Sequence, residues 1–207
     1  TPVWSTPAGT RYGRSTLESA ADVRSLVVVL AGVRGADGEP PVLQANTVMA
    51  APDYERLAAS DFEADVLPLV SLPELPSRWQ RPGLWDAVRA AIESGRWWPE
   101  LHGLHHLPVE AWLGALRRGD ADARLAFEHQ SFVCEAVQAS GEYDPTEPAS
   151  RRSSNLRGAI DRFERAFGRP PGSLCAPDYR WDEAIEREAE SLGITTIQGH
   201  GERERWE

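Results

Sequence analysis

The stretch Trp97-Trp98-Pro99-Glu100-Leu101-His102-Gly103-Leu104-His105-His106-Leu107-Pro108 decides how this chain is read. Its first half is apolar and aromatic, as a buried strand is, and its second half packs three histidines into five residues. Pro108 suits the first turn of a following helix. A strand that runs into imidazoles and then into a helix places them at a strand's C-terminal end, where α/β proteins gather their chemistry. Imidazole is the commonest protein ligand for zinc and similar divalent ions. His102 and His106, four residues apart, reach one ion if the turn between them is tight, and Gly103 supplies the backbone freedom for that turn. Spacing alone leaves the blander reading open, in which these are surface histidines or core residues satisfied by hydrogen bonds.

Working outward, strand and helix patterns alternate. Ser15-Thr16-Leu17-Glu18 reads as a capping box that starts a helix running to about residue 33. Residues 42–49 read as a buried strand, 52–56 open a short helix, and 65–70 form a second strand interrupted at Pro68. A proline-rich connector (73–82) leads to a helix over 83–94, then to the strand over 97–101 and a helix over 108–117. A longer helix is predicted over 121–140, with Leu125, His129, Phe132, Val133, Ala136 and Val137 on one face; His129 there reads as a core histidine. Leu156, Ile160, Phe163 and Phe167 mark another helix, ended by Gly168. Strands over 173–176 and 194–198 flank a helix over 181–192. This order predicts an α/β fold of parallel strands joined by helical crossovers, either a barrel or an open sheet, in one domain over 1–207.

Composition narrows the function classes. The chain has 207 residues, 41% of them hydrophobic and 26% charged, and it contains no apolar run of the roughly 18 residues that a membrane span needs. Membrane insertion is therefore not expected. All 22 basic residues are arginine, and 32 acidic residues leave a net charge of −10, so a nucleic-acid backbone is a poor partner. The two cysteines, Cys134 and Cys175, lack metal-ligand spacing and imply no disulfide framework. The opening Thr1-Pro2-Val3-Trp4 has neither the charge nor the apolar run of a leader, and a natural start upstream of it is expected. A cytoplasmic location is favoured over export.

In a parallel barrel the strand ends share a rim, where Asn46, the 102–106 histidines, the 175–179 turn and His200 would meet. The order of these features resembles the polysaccharide deacetylase family, metal-dependent carbohydrate esterases built on a distorted, incomplete (β/α) barrel. His102-Gly-Leu-His-His106 matches the family's His-x-x-x-His. Gly168-Arg-Pro-Pro171 followed by Leu174-Cys-Ala-Pro-Asp-Tyr-Arg-Trp-Asp182 follows its later Gly-x-x-Pro, Arg-x-Pro-Tyr and Trp-Asp plan, so that the likeness spans roughly residues 15–200.

The resemblance implies a divalent ion, zinc above others, held by His102 and His106 with an upstream aspartate. It implies acetyl removal from an acetylated carbohydrate or a related small-molecule amide or ester. His200 would protonate the leaving group, and Tyr179 and the backbone near Pro177 would line the groove or donate to the oxyanion. Asn46 would be a polar rim group, and Trp181 or Trp98 would stack on sugar rings. Two features depart from the family. Its paired aspartates before the first helix have no counterpart here, and Cys175 stands where its third motif has arginine; Arg180 is the nearby substitute. A non-catalytic descendant of the fold, binding a carbohydrate or a protein, is the competing reading. Beside the main site residues, His105 is expected to point away and bond to backbone, Asp178 to be a turn residue, and Cys175 to be a buried small side chain. Glu100 reads either as a hydrogen-bond partner of an imidazole or as a solvated acid.

Overall fold

The computed structural model describes residues 17–63, 66–71, 75, 79–137 and 141–199. Helix α1 (Ala20–Ala31) opens on Ser19, whose hydroxyl accepts the Asp22 N–H while the Asp22 carboxylate accepts the Ser19 N–H at 2.8 Å. The capping box is thus Ser19/Asp22, four residues beyond the Ser15/Glu18 pair; Ser15 lies outside the described residues, and Glu18 precedes the helix. Next come β1 (Leu43–Thr47), β2 (Ala50–Pro52), α2 (Tyr54–Ala59, capped by Asp53), β3 (Leu69–Ser71) and α3 (Leu84–Glu93). Strand β4 (Trp97–Leu101) leads to α4 (Val109–Arg117) and α5 (Ala121–Glu128). The last elements are α6 (Ala149–Phe167), β5 (Ser173–Cys175), α7 (Glu183–Ser191) and β6 (Thr196–Gln198).

Four parallel strands form one sheet in the order β1-β4-β5-β6. The mixed α/β architecture and its parallel sheet therefore match the expectation from alternating patterns. The strand expected over 65–70 is different: it is shorter, and it pairs antiparallel with β2, Ala51 opposite Val70. Asp53 N–H donates to the Pro68 carbonyl at 2.8 Å, so the chain doubles back here instead of crossing over.

The long helix expected over 121–140 stops at Glu128. Gln130 takes a left-handed φ of 52°, and the Ser131 N–H turns back to the Ala126 carbonyl at 2.9 Å. Apolar spacing continued past the point where backbone geometry ends the helix. His129 is the half-buried residue that closes it, not a core residue within it. By contrast α6 ends where glycine predicts, at Gly168 with φ 70°.

Side-chain alternation gives the sheet two unlike faces. Leu101, Leu174 and Ile197 belong to one apolar cluster with Leu156, Ala159 and Phe163 of α6 and Ile185 and Ala189 of α7. The opposite face carries Gln44, Asn46, Trp98, Glu100, Ser173 and Gln198, linked by hydrogen bonds. Asn46 on β1 and Gln198 on β6 exchange amide contacts at 3.2 and 3.3 Å, although two strands lie between them. Strands spaced about 4.8 Å apart would hold the edges of a flat sheet about 14 Å apart. These short side chains meet because the sheet curls, making its polar face concave.

Candidate metal centre at the end of strand β4

The histidine loop continues the β4 ladder for one rung, since the His102 N–H donates to the Thr47 carbonyl at 2.9 Å. Alternation therefore carries His102 to the same concave face as Glu100 and Asn46. Its Nδ1 lies 2.7 Å from the Cys175 carbonyl oxygen. A carbonyl only accepts, so Nδ1 holds the proton and Nε2 keeps a free lone pair, the tautomer a metal-ligating histidine needs. Burial, opposed by the bond to Cys175, pushes the His102 pKa below its usual value and favours the neutral ring. The Asp178 carboxylate is close enough to act on that ring in the opposite direction.

His106 returns to the same place from the far side of the loop. Its ring centre lies 5.1 Å from that of His102, with the planes at 63°. Two imidazoles sharing a tetrahedral zinc-like ion, each with nitrogen about 2.0–2.1 Å from it, have ring centres about 5 Å apart. The tautomer of His102 and the separation of the two rings fit a shared divalent ion. Among the described residues no group of three His, Cys, Asp or Glu side chains is clustered to complete the set.

The turn that brings the two rings together depends on a residue the sequence reading passed over. Glu142, fully buried in the loop before α6, accepts the Leu104 N–H at 2.6 Å on Oε1 and the His105 N–H at 3.1 Å on Oε2, and also bonds the His106 backbone. On the other side, the Gly103 and Leu104 carbonyls accept the N–H groups of Met49 and Ala50. Gly103 is required twice over. Its φ is 84°, and a Cβ there would fall 1.8 Å from Glu142 Oε1. His106 has a left-handed φ of 66°, a conformation that costs a non-glycine residue on the order of 1 kcal/mol or more and persists only where surrounding contacts hold it. The only sequence trace of this arrangement is Gly103 itself, because an acid in the Gly141-Glu142-Tyr143-Asp144 turn carries no periodic signal.

His105 points away from its neighbours, as expected. It is buried, and its Nδ1 accepts the Leu107 N–H at 3.1 Å, so the proton sits on Nε2. Burial drives its pKa down to about 3, while burial raises Glu142, 3.3 Å from the same Nδ1, to about 8. A neutral carboxyl beside a neutral imidazole is the arrangement both shifts favour.

The remaining site residues divide by place. Tyr179, in the turn after β5 with φ 56°, is 44% exposed and its hydroxyl contacts the Cys175 thiol. Asp178 shares that turn, in keeping with its expected role. Cys175 is buried, and burial pushes its thiol pKa up, which disfavours a nucleophilic thiolate. Pro177 is buried, packed so closely on Gly141 that a Cβ there would lie 2.9 Å from its own. Asn46 is exposed on the concave face, bonded to Gln198. Trp181 donates its indole N–H to Glu186 at 3.0 Å and packs on Gly199. It lines an open groove of about 740 Å³ between α7 and β6, which His102 and His106 do not line. Arg180 pairs with Asp144 at 3.0 Å. Glu100 meets neither of its expectations. It is buried, and it accepts the Trp98 indole N–H, the Gly172 and Ser173 N–H groups and the Ser173 hydroxyl. His200 lies outside the described residues.

No protein family, curated protein or solved structure matches this chain.

Proposed function

We propose that this protein is a metal-dependent hydrolase that removes acetyl groups from a carbohydrate or a related small amide or ester, on an incomplete (β/α) barrel. One observation carries the reading: His102 and His106 stand 5.1 Å apart at a strand's C-terminal end, with the His102 Nδ1 proton engaged by the Cys175 carbonyl. These two residues would hold a divalent ion, zinc by the preference of imidazole. The chemistry such an ion supplies when bound is Lewis acidity toward the carbonyl of the scissile amide or ester.

The chain's own groups would do the rest. Cys175, through its carbonyl, orients the His102 ring and fixes its proton. Asn46 and Gln198 offer paired amide donors and acceptors suited to sugar hydroxyls on the concave face that leads to His102. Tyr179, exposed in the turn beside Cys175, offers a hydroxyl to an oxyanion. Curling of the sheet, with β1 and β6 side chains in contact, supports the barrel reading.

Metal analysis of the purified protein tests this. It should carry about one zinc-like ion per chain, and the double variant His102→Ala/His106→Ala should carry none; full metal retention in that variant rejects the assignment. Acetate release from acetylated oligosaccharides, abolished by chelator, then separates sugar from non-sugar substrates. The described residues offer two clustered ligand side chains and no third, which favours a second reading: a non-catalytic descendant that binds carbohydrate. That reading predicts binding to the same oligosaccharides with no acetate released.

A further inference from the structure

We infer that Glu142 is the positioning residue of the histidine pair: its buried carboxyl sets the backbone of residues 104–106, and through it the direction of the His106 ring toward His102. This inference rests on the reading of His102 and His106 as the ligand pair.

The argument starts from the loop's backbone. Between the ladder bond at His102 and the bond from Leu107 N–H to His105 Nδ1, the chain reverses with left-handed residues at Gly103 and His106. Reversal turns successive N–H groups inward, and inward N–H groups in a buried loop need acceptors. Glu142 supplies them, one oxygen to Leu104 at 2.6 Å and the other to His105 at 3.1 Å. Successive amides gathered on one carboxyl form a nest of inward N–H donors, here filled from within the protein. The carbonyls of Gly103 and Leu104 are engaged on the other side by Met49 and Ala50. The loop is therefore gripped along both backbone edges, and Glu142 is the whole of one grip.

Specificity for this carboxyl is written into the packing. Gly103 leaves the space that Oε1 occupies, with the Glu142 carboxyl carbon 3.0 Å from where a Cβ would stand. Glu142 touches neither ring that would hold the ion; it acts on His106 through the peptide that bears it. Removing the partners that orient metal ligands typically weakens metal binding by about 10- to 100-fold.

The experiment measures zinc affinity by chelator competition in the full chain, the isosteric Glu142→Gln, the core variant Phe163→Leu and the double histidine variant. In parallel, the imidazole ring resonances of the metal-free proteins are recorded by NMR. Expected are binding weakened about 10- to 100-fold in Glu142→Gln, with displaced His102 and His106 resonances, and unchanged affinity and resonances in Phe163→Leu. Gly103→Ala, which crowds the same carboxyl, should displace the same resonances. Wild-type affinity and unmoved rings in Glu142→Gln overturn the inference while leaving the metal reading intact. Moved rings in a chain that binds no zinc overturn the metal reading and support the positioning role of Glu142. If Phe163→Leu weakens zinc as much as Glu142→Gln, the effect is general loss of stability and the inference falls.

Discussion

The two faces of the parallel sheet are held by different physics. On the convex face Leu101 and Leu174 have no exposure at all and meet Phe163 of α6 and Ile185 of α7 through apolar contact. On the concave face Gln44 and Asn46 are exposed, Glu100 is buried, and hydrogen bonds connect them to Ser173 and Gln198. Apolar burial is non-directional and scales with area, so the convex face tolerates rearrangement but not loss of volume. A polar network is directional and unforgiving of a single missing partner. The convex face holds the sheet to its helices; the concave face sets the positions of individual polar atoms, and it is the face that ends in His102.

The largest expected effect tests the convex face. Phe163→Ala should destabilise the protein by about 3–5 kcal/mol in denaturant unfolding; a loss under about 1 kcal/mol would mean that α6 does not anchor the sheet. Next comes Glu100→Ala, which strands the Trp98 indole and the Gly172 and Ser173 amides together. A cost of about 2–3 kcal/mol is expected, and a near-neutral result would show that the polar face is not held by its hydrogen bonds.

The third prediction concerns pH and the pair beneath the histidine loop. Glu142 is raised from 4.5 to about 8, so the folded chain keeps a proton that the unfolded chain releases, and stability falls as pH rises through that interval. His105 is lowered from 6.5 to about 3, so the unfolded chain binds a proton the folded chain refuses, and stability falls as pH drops from 6.5 toward 3. The two slopes oppose each other between pH 4.5 and 6.5, and above 6.5 only that of Glu142 remains. Unfolding curves should lose about 1–2 kcal/mol between pH 6.5 and 8, and Glu142→Gln should remove that slope; an equal slope in the variant would assign it elsewhere. The smallest effect belongs to Asn46→Ala, at an exposed position. It should change stability by less than about 0.5 kcal/mol while weakening binding of acetylated oligosaccharide, measured by calorimetry. Unchanged binding would remove Asn46 from the substrate surface.

Much of this architecture could be read directly from residue order. The strand over 97–101 and the helices opened by Pro108 and closed by Gly168 carry local signals, since apolar runs, proline and glycine constrain the backbone where they stand. The 121–140 helix misled because apolar spacing continued beyond a left-handed turn at Gln130 that no glycine announced. The antiparallel pairing of β3 was illegible for another reason: a three-residue strand has no pattern that tells parallel from antiparallel.

What the sequence determined by itself was the alternating α/β order, the lack of an apolar run of the roughly 18 residues a membrane span needs, and the presence of two imidazoles four residues apart after a strand. Those follow from composition and from contacts between residues near in the chain. Only the tertiary structure decided which ring nitrogen of His102 is free and that the two rings meet edge-on, 5.1 Å between their centres. It also decided that Glu142, thirty-six residues beyond His106, holds the turn between them. A buried carboxyl satisfying distant backbone amides leaves no periodicity in the sequence, because its partners are peptide groups that every residue possesses.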